Sequence, residues 1–337
     1  MHAAARLGLF AAGAAAVFTV ALVAAPLVIP ADASAAWTSE EDAQMDSTEP
    51  GHGGGPAVAA SADDVRGLSV SHAGYSLIDL SAPAAAGEPG EIAFSLVDAG
   101  GDPVTEYETS HEKDLHLIVV RTDGAHFRHV HPTTDGRGGW SIPFAFDAAG
   151  TYRVFADFVP AGYGETVTLT STVEVAGEFA PEPRTADRAV ATVDGLTVEV
   201  EGELVAGAEG ELVFTVTRDD EPVTTLEPYL GAYGHLVALR QGDLAYLHVH
   251  PMGEPGDGDT EPGPEISFMA TAPTAGRYLL YLDLKLDGTV RSVPFVLSAS
   301  AGSTEAAGDR ADRDGGSHGD RGGSHGDQGD SHGSDRR

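Results

Sequence analysis

Two passages of this 337-residue chain return later in the same chain, and that echo restricts its organisation more than any other feature. GEPGEIAFSLVDAGGDPV at Gly87 to Val104 comes back as GAEGELVFTVTRDDEPV at Gly207 to Val223. AAGTYRVFADF at Ala148 to Phe158 comes back as TAGRYLLYLDL at Thr274 to Leu284. Self-similarity of this kind means one domain written twice. The repeats occupy 65–177 and 190–299, joined by 178–189, where FAPEPRTADR sits. Each repeat has roughly seven runs of strand-like alternation broken by Gly, Pro and Asp clusters, and no run long enough for a substantial helix. The pattern predicts an all-β chain of two tandem immunoglobulin-like sandwiches, with a small cupredoxin-like barrel as the competing form.

The flanks read differently. From Leu7 to Pro30 there is no charged residue, and Ala33-Ser34-Ala35 follows as a small-residue cleavage site. Residues 1–35 are therefore expected to be a signal peptide or a membrane anchor, since an uncharged run of this length serves either purpose. Export places the remainder in the extracellular or cell-surface compartment, touching the membrane only through this segment. Residues 36–64 form an acidic Gly/Pro/Ala linker, and 300–337 form a Gly/Asp/His tail with Ser-His-Gly at Ser317, Ser324 and Ser331; neither can bury a core.

With 52 acidic against 19 basic residues the formal charge is -33, which disfavours nucleic acid and favours cations as ligands. There is no cysteine, so any metal must be held by imidazole, carboxylate or thioether.

The candidate ligands lie in a third echo, HEKDLHLIVVRTDGAHFRHVHP at His111 to Pro132 and YLGAYGHLVALRQGDLAYLHVHP at Tyr229 to Pro251. In each, a lone His (His116, His235) precedes a His-x-His-Pro (His129 and His131, His248 and His250). Asp123-Gly124 is a hairpin signal, and a turn centred there sets Ile118 opposite His129 and His116 opposite His131, with all three imidazoles on one face. Shifting by 119 positions centres the second turn on Gly242-Asp243 and sets His235 opposite His250, with His248 beside them. Opposed and diagonal side chains are then close enough to share one ion. Asp157 and Asp283, at matching places in apolar strands, are the expected fourth members. Burial of an Asp there calls for a metal or for a hydrogen bond from a histidine's second ring nitrogen. Imidazole with a carboxylate suits Cu(II) or Zn(II), and an exported chain without thiols and with Met252 near the second His-Pro leans toward copper, although Thr133 at the matching place in the first repeat makes Met252 read as a surface residue. His111, Glu112 and Asp114 enrich the first hairpin only; Leu230, Gly231 and Tyr233 stand in the second.

HEKDLHLIVV with FRHVHP, and YGHLVALRQGDLAYLHVHP, resemble exported bacterial β-sandwich proteins related to the YtkA-like and CopC-like domains. The resemblance covers both repeats and implies an immunoglobulin-like or cupredoxin-like fold and a link to copper handling outside the cytoplasm. CopC-like proteins usually carry a copper-binding His near the mature N-terminus. No such residue stands near Ala36, so that ligand is not carried over.

The sequence thus predicts an exported, non-catalytic metal-binding protein, for copper or alternatively zinc. One site is expected at His116, His129, His131 and Asp157, a second at His235, His248, His250 and Asp283. The competing expectation is a cell-envelope interaction module that presents the sandwiches to a protein partner, with the histidines structural. No paired catalytic carboxylates, Gly-x-Ser-x-Gly or phosphate loop argues for an enzyme.

Overall fold

The computed structural model describes residues 65–247 and 249–302. The expected signal segment, the 36–64 linker, most of the tail and His248 lie outside them. The described residues belong to one unit, Ala57–Arg337.

The first repeat is built of β1 (Ser71–His72), β2 (Tyr75–Ser81), β3 (Gly90–Val97), β4 (Tyr107–Glu108), β5 (Leu115–Arg121), β6 (Arg128–Val130), β7 (Thr133–Thr134), β8 (Gly139–Phe144), β9 (Gly150–Pro160) and β10 (Val167–Val175). The second is built of β11 (Val190–Val193), β12 (Leu196–Gly202), β13 (Leu204–Val205), β14 (Glu209–Arg218), β15 (Glu221–Pro222), β16 (Gly234–Arg240), β17 (Tyr246–Leu247), β18 (Val249–Pro251), β19 (Glu265–Thr271), β20 (Gly276–Leu286) and β21 (Thr289–Ser300). No helix occurs among the described residues.

Each repeat is a two-sheet sandwich. The orders β2-β3-β8-β7 and β10-β9-β5-β6 in the first recur as β12-β14-β19-β18 and β21-β20-β16-β17 in the second. This is the strand arrangement of the immunoglobulin fold. A tyrosine corner marks each copy, with the Tyr152 hydroxyl donating to the Ala148 carbonyl and the Tyr278 hydroxyl to that of Thr274, both at 2.8 Å. The inner faces close separate cores, one around Ile92, Leu96, Trp140 and Val154, the other around Leu212, Phe214, Phe268 and Phe295.

A third core lies between the repeats. Every residue of β5 is buried. Alternation sends Leu115, Leu117 and Val119 into the first core, whereas Ile118 and Val120 pack with Phe155 against Val237, Leu239, Leu279 and Tyr281 of the second repeat. The sheets of β5 and β9 and of β16 and β20 therefore lie back to back, each buried on both faces, which is why LHLIVV and LVAL read as nearly unbroken apolar runs. The contacts are reciprocal. Phe127 stacks on Tyr281 with ring centres 3.9 Å apart, and the corresponding Tyr246 meets Phe155 at 6.0 Å.

The hairpin turns seal this junction. Arg121 grips Asp123 with Nε to Oδ1 at 2.9 Å and Nη2 to Oδ2 at 2.8 Å. Gly124, at φ +82°, presents its carbonyl to the Tyr281 hydroxyl at 2.7 Å.

Candidate metal centre

The first hairpin has the register expected from its turn: Leu117 faces Val130, Ile118 faces His129 and Val119 faces Arg128. Strand alternation then turns His116 away from the first core and toward the second repeat, level with Ile118 and Val120. His116 Nδ1 lies 3.0 Å from His129 Nε2 and 3.2 Å from His131 Nε2, and one nitrogen from each of the three falls within 4.8 Å of the others.

Ring tautomers decide what this cluster can do. His116 Nε2 is 3.0 Å from the Ser110 carbonyl, which only accepts, so the proton sits on Nε2 and Nδ1 carries a lone pair. His129 Nδ1 is 2.7 Å from Asp283 Oδ2, so its proton faces the carboxylate and the Nε2 lone pair faces His116. Two lone pairs directed at each other across 3.0 Å repel unless a cation stands between them, either a shared proton or a metal ion. Nitrogens bound tetrahedrally at about 2.0–2.1 Å from an ion are about 3.3 Å apart. Two edges of the triangle are already within a few tenths of that.

Burial disfavours a bound proton on two of the three rings. It pushes His116 down to about 3, helped by neighbouring His129, and pushes His131 down to about 3 in the same way. His235 is held well below the ordinary imidazole range, again chiefly by burial. Its ring stacks on that of His116 at 5.4 Å and lies 4.9 Å from His129.

The two expected sites are thus not separate. Asp283 of the second repeat, with its side chain 1% exposed, supports His129 of the first, and the Ser292 hydroxyl donates to its other oxygen. It acts through the far nitrogen of a histidine of the first repeat. Asp157, paired with His116 in the β5–β9 ladder, accepts the Thr168 hydroxyl at 2.6 Å, as Asp283 accepts that of Ser292. Burial raises its carboxyl to about 6. It stands outside the triad.

His250 also departs from its expected place. The second hairpin keeps the expected register at Ala238 with Leu247 and Leu239 with Tyr246, but the chain then crosses to the other sheet, where Val249 pairs with Ala270 and His250 with Met269. Val249 packs on the second core, and alternation leaves His250 exposed and not opposite His235. Met252 is 47% exposed and takes no part in the triad.

One residue at the centre carried no role in the expected sites. His111 and Glu112 form the two-residue turn between Ser110 and Lys113 with φ of 46° and 64°, where such turns favour Asn-Gly. The His111 ring lies 5.2 Å from that of His235 and 6.1 Å from that of His116. Beside it opens a pocket of about 290 Å³ at the junction of the repeats, walled by His111, His116, Asp157, His235 and His250 among others. The positive-φ pair was visible only as His-Glu where the second repeat has Leu-Gly.

The architecture is that of a tandem immunoglobulin-like protein with a histidine centre enclosed between its two sandwiches. The chain belongs to the DUF8832 family, a domain of unknown function, matched over residues 71–176 and 191–301. No curated protein matches it in sequence. Among solved structures it is similar to invasin, a bacterial integrin-binding protein (14% identity, TM-score 0.21, 67% of this chain and 38% of that one). It is similar also to the D0-D1 domain of intimin (13%, TM-score 0.20, 65% and 93%) and to a membrane-anchored protein from Corynebacterium diphtheriae (11%, TM-score 0.21, 71% and 61%). The chain spans less than two thirds of invasin, and at these scores nothing of those proteins' activities transfers to it.

Proposed function

We propose that this chain is an exported, non-catalytic metal-binding protein that takes up Cu(II) or Zn(II) at His116, His129 and His131 and buffers the ion or hands it on outside the cytoplasm. The observation that carries the reading is the convergence of ring nitrogens whose other nitrogens are occupied by Ser110 and Asp283, an arrangement that leaves lone pairs facing inward. The formal charge of -33 concentrates cations around the chain. Export rests on the uncharged Leu7 to Pro30 segment. Copper over zinc rests on the resemblance to the YtkA-like and CopC-like domains, since the triad itself offers nitrogen alone and suits either ion.

The test is uptake of Zn(II) and Cu(II) by the full chain with the tail histidines His318, His325 and His332 changed to Asn. A tight equivalent that disappears in His129→Ala/His131→Ala is the expected result. No uptake at micromolar metal, or uptake unchanged in that variant, refutes the proposal.

A further inference from the structure

We propose that the pocket beside the triad is a second cation position, formed by His111 of the first repeat and His235 of the second. It rests on the reading of the triad as a metal centre, and it adds an outer position from which the buried one can be filled.

Four observations carry it. The first is spacing: two imidazoles on one tetrahedral ion hold their ring centres about 5 Å apart, from metal–nitrogen bonds of about 2 Å plus the distance from nitrogen to ring centre. His111 and His235 stand at 5.2 Å with their planes at 81°. The second is reach: the Leu230 backbone of the second repeat lies close to the His111 ring, so the turn of the first repeat holds that ring at the junction. The third is strain. The equivalent turn, Tyr229 to Ala232, has Leu230 at φ +58° and Gly231 at φ +80°, whereas the first repeat holds two non-glycine residues, His111 and Glu112, in the left-handed conformation. Residues kept in such backbone against their preference cluster at ligand sites. The fourth is placement: the pocket is open, Asp157 puts a carboxylate on its wall, and burial deepens from exposed His111 through partly buried His235 to His116 at 4% exposure. An ion held at the outer pair is one imidazole away from the triad.

The variant that tests this is His111→Asn in the full chain with the three tail histidines changed to Asn. Asn suits the left-handed turn, so folding is retained, and a thermal midpoint at or above that of the parent without metal verifies it. Zn(II) is counted by equilibrium dialysis, and Co(II) spectra report the tetrahedral centre. The parent should bind two equivalents, and His111→Asn should weaken the second at least tenfold while leaving the tighter one and its Co(II) band unchanged. Two undiminished equivalents in His111→Asn, or a parent that binds only one, overturns the second position while leaving the triad standing. Loss of neither equivalent in His129→Ala/His131→Ala removes the centre on which it rests.

Discussion

Asp283 offers the most direct test of how the centre is assembled. Its carboxylate is enclosed, with Oδ2 2.7 Å from His129 Nδ1 and Oδ1 bonded by Ser292. Asp283→Asn can still turn an oxygen toward His129, so the tautomer survives and only the charge assistance is lost. Asp283→Ala removes both acceptors and leaves a buried N–H unpaired. Loss of such a supporting partner typically lowers metal affinity by about 10–100-fold, or about 1.4–2.7 kcal/mol. Asn should fall near the lower end and Ala near the upper. Ala should also destabilise the metal-free protein by about 1–3 kcal/mol through the orphaned donor. Competition for Zn(II) against a chromophoric chelator measures the first effect and urea unfolding the second. Asp157→Asn is the control: its carboxylate bonds Thr168, so the tight equivalent should stay within about twofold of the parent. Zn(II) affinity of Asp283→Ala within that same margin would refute the idea that one repeat orients the ligands of the other.

Three further outcomes follow from the same geometry. Replacing the strained pair by its favoured residues, His111→Asn with Glu112→Gly, should raise metal-free stability by about 1–2 kcal/mol, read as a higher thermal midpoint; a lower one contradicts the strain. Stability of the metal-free protein should fall with pH below about 6.5, because His116 and His131 are held near 3 when folded and bind protons only on unfolding. Asp157, raised to about 6, opposes this by protonating in the folded state, whereas His235, also held low, adds to it, so the net loss should be at least about 1.4 kcal/mol per pH unit between 6 and 4. A urea midpoint that is flat or rises over that interval rules the account out. Finally, Gly124→Ala would place a Cβ 2.5 Å from Leu279 Cδ1 at a φ of +82° and should cost about 2–4 kcal/mol. A cost below about 0.5 kcal/mol in urea unfolding would show that the turn does not clamp the repeats.

Much of this architecture was legible in the sequence, because the repeats and the hairpin are local. The alternation of Leu115 to Val120 and the Asp123-Gly124 turn fix which residues face which, and His129 does lie opposite Ile118. His250 was misplaced because the crossing after Leu247 depends on Val249 finding the second core, a contact that no turn signal encodes. The merging of two sets into one centre had a trace in the sequence: Ile118, Val120, Val237 and Leu239 make the outward faces as apolar as the inward ones. An alternating strand with one wet face would not carry them. What the sequence did not supply was the partner for that second face, and hence the contact of Asp283 with His129.

The reciprocal packing has the form of an isologous dimer, with Phe127 on Tyr281 answered by Tyr246 on Phe155 and His116 meeting its own counterpart His235 across the pseudo-axis. Two identical chains docked in this way would have to carry every ligand in duplicate, crowding both copies around one axis and charging or straining both turns alike. Joining the halves in a single chain lifts that symmetry requirement. One half can then hold His111-Glu112 at its left-handed turn while the other holds Leu230-Gly231. Among the described residues that freedom is used at these turns, and it places an imidazole beside the pocket from one half only.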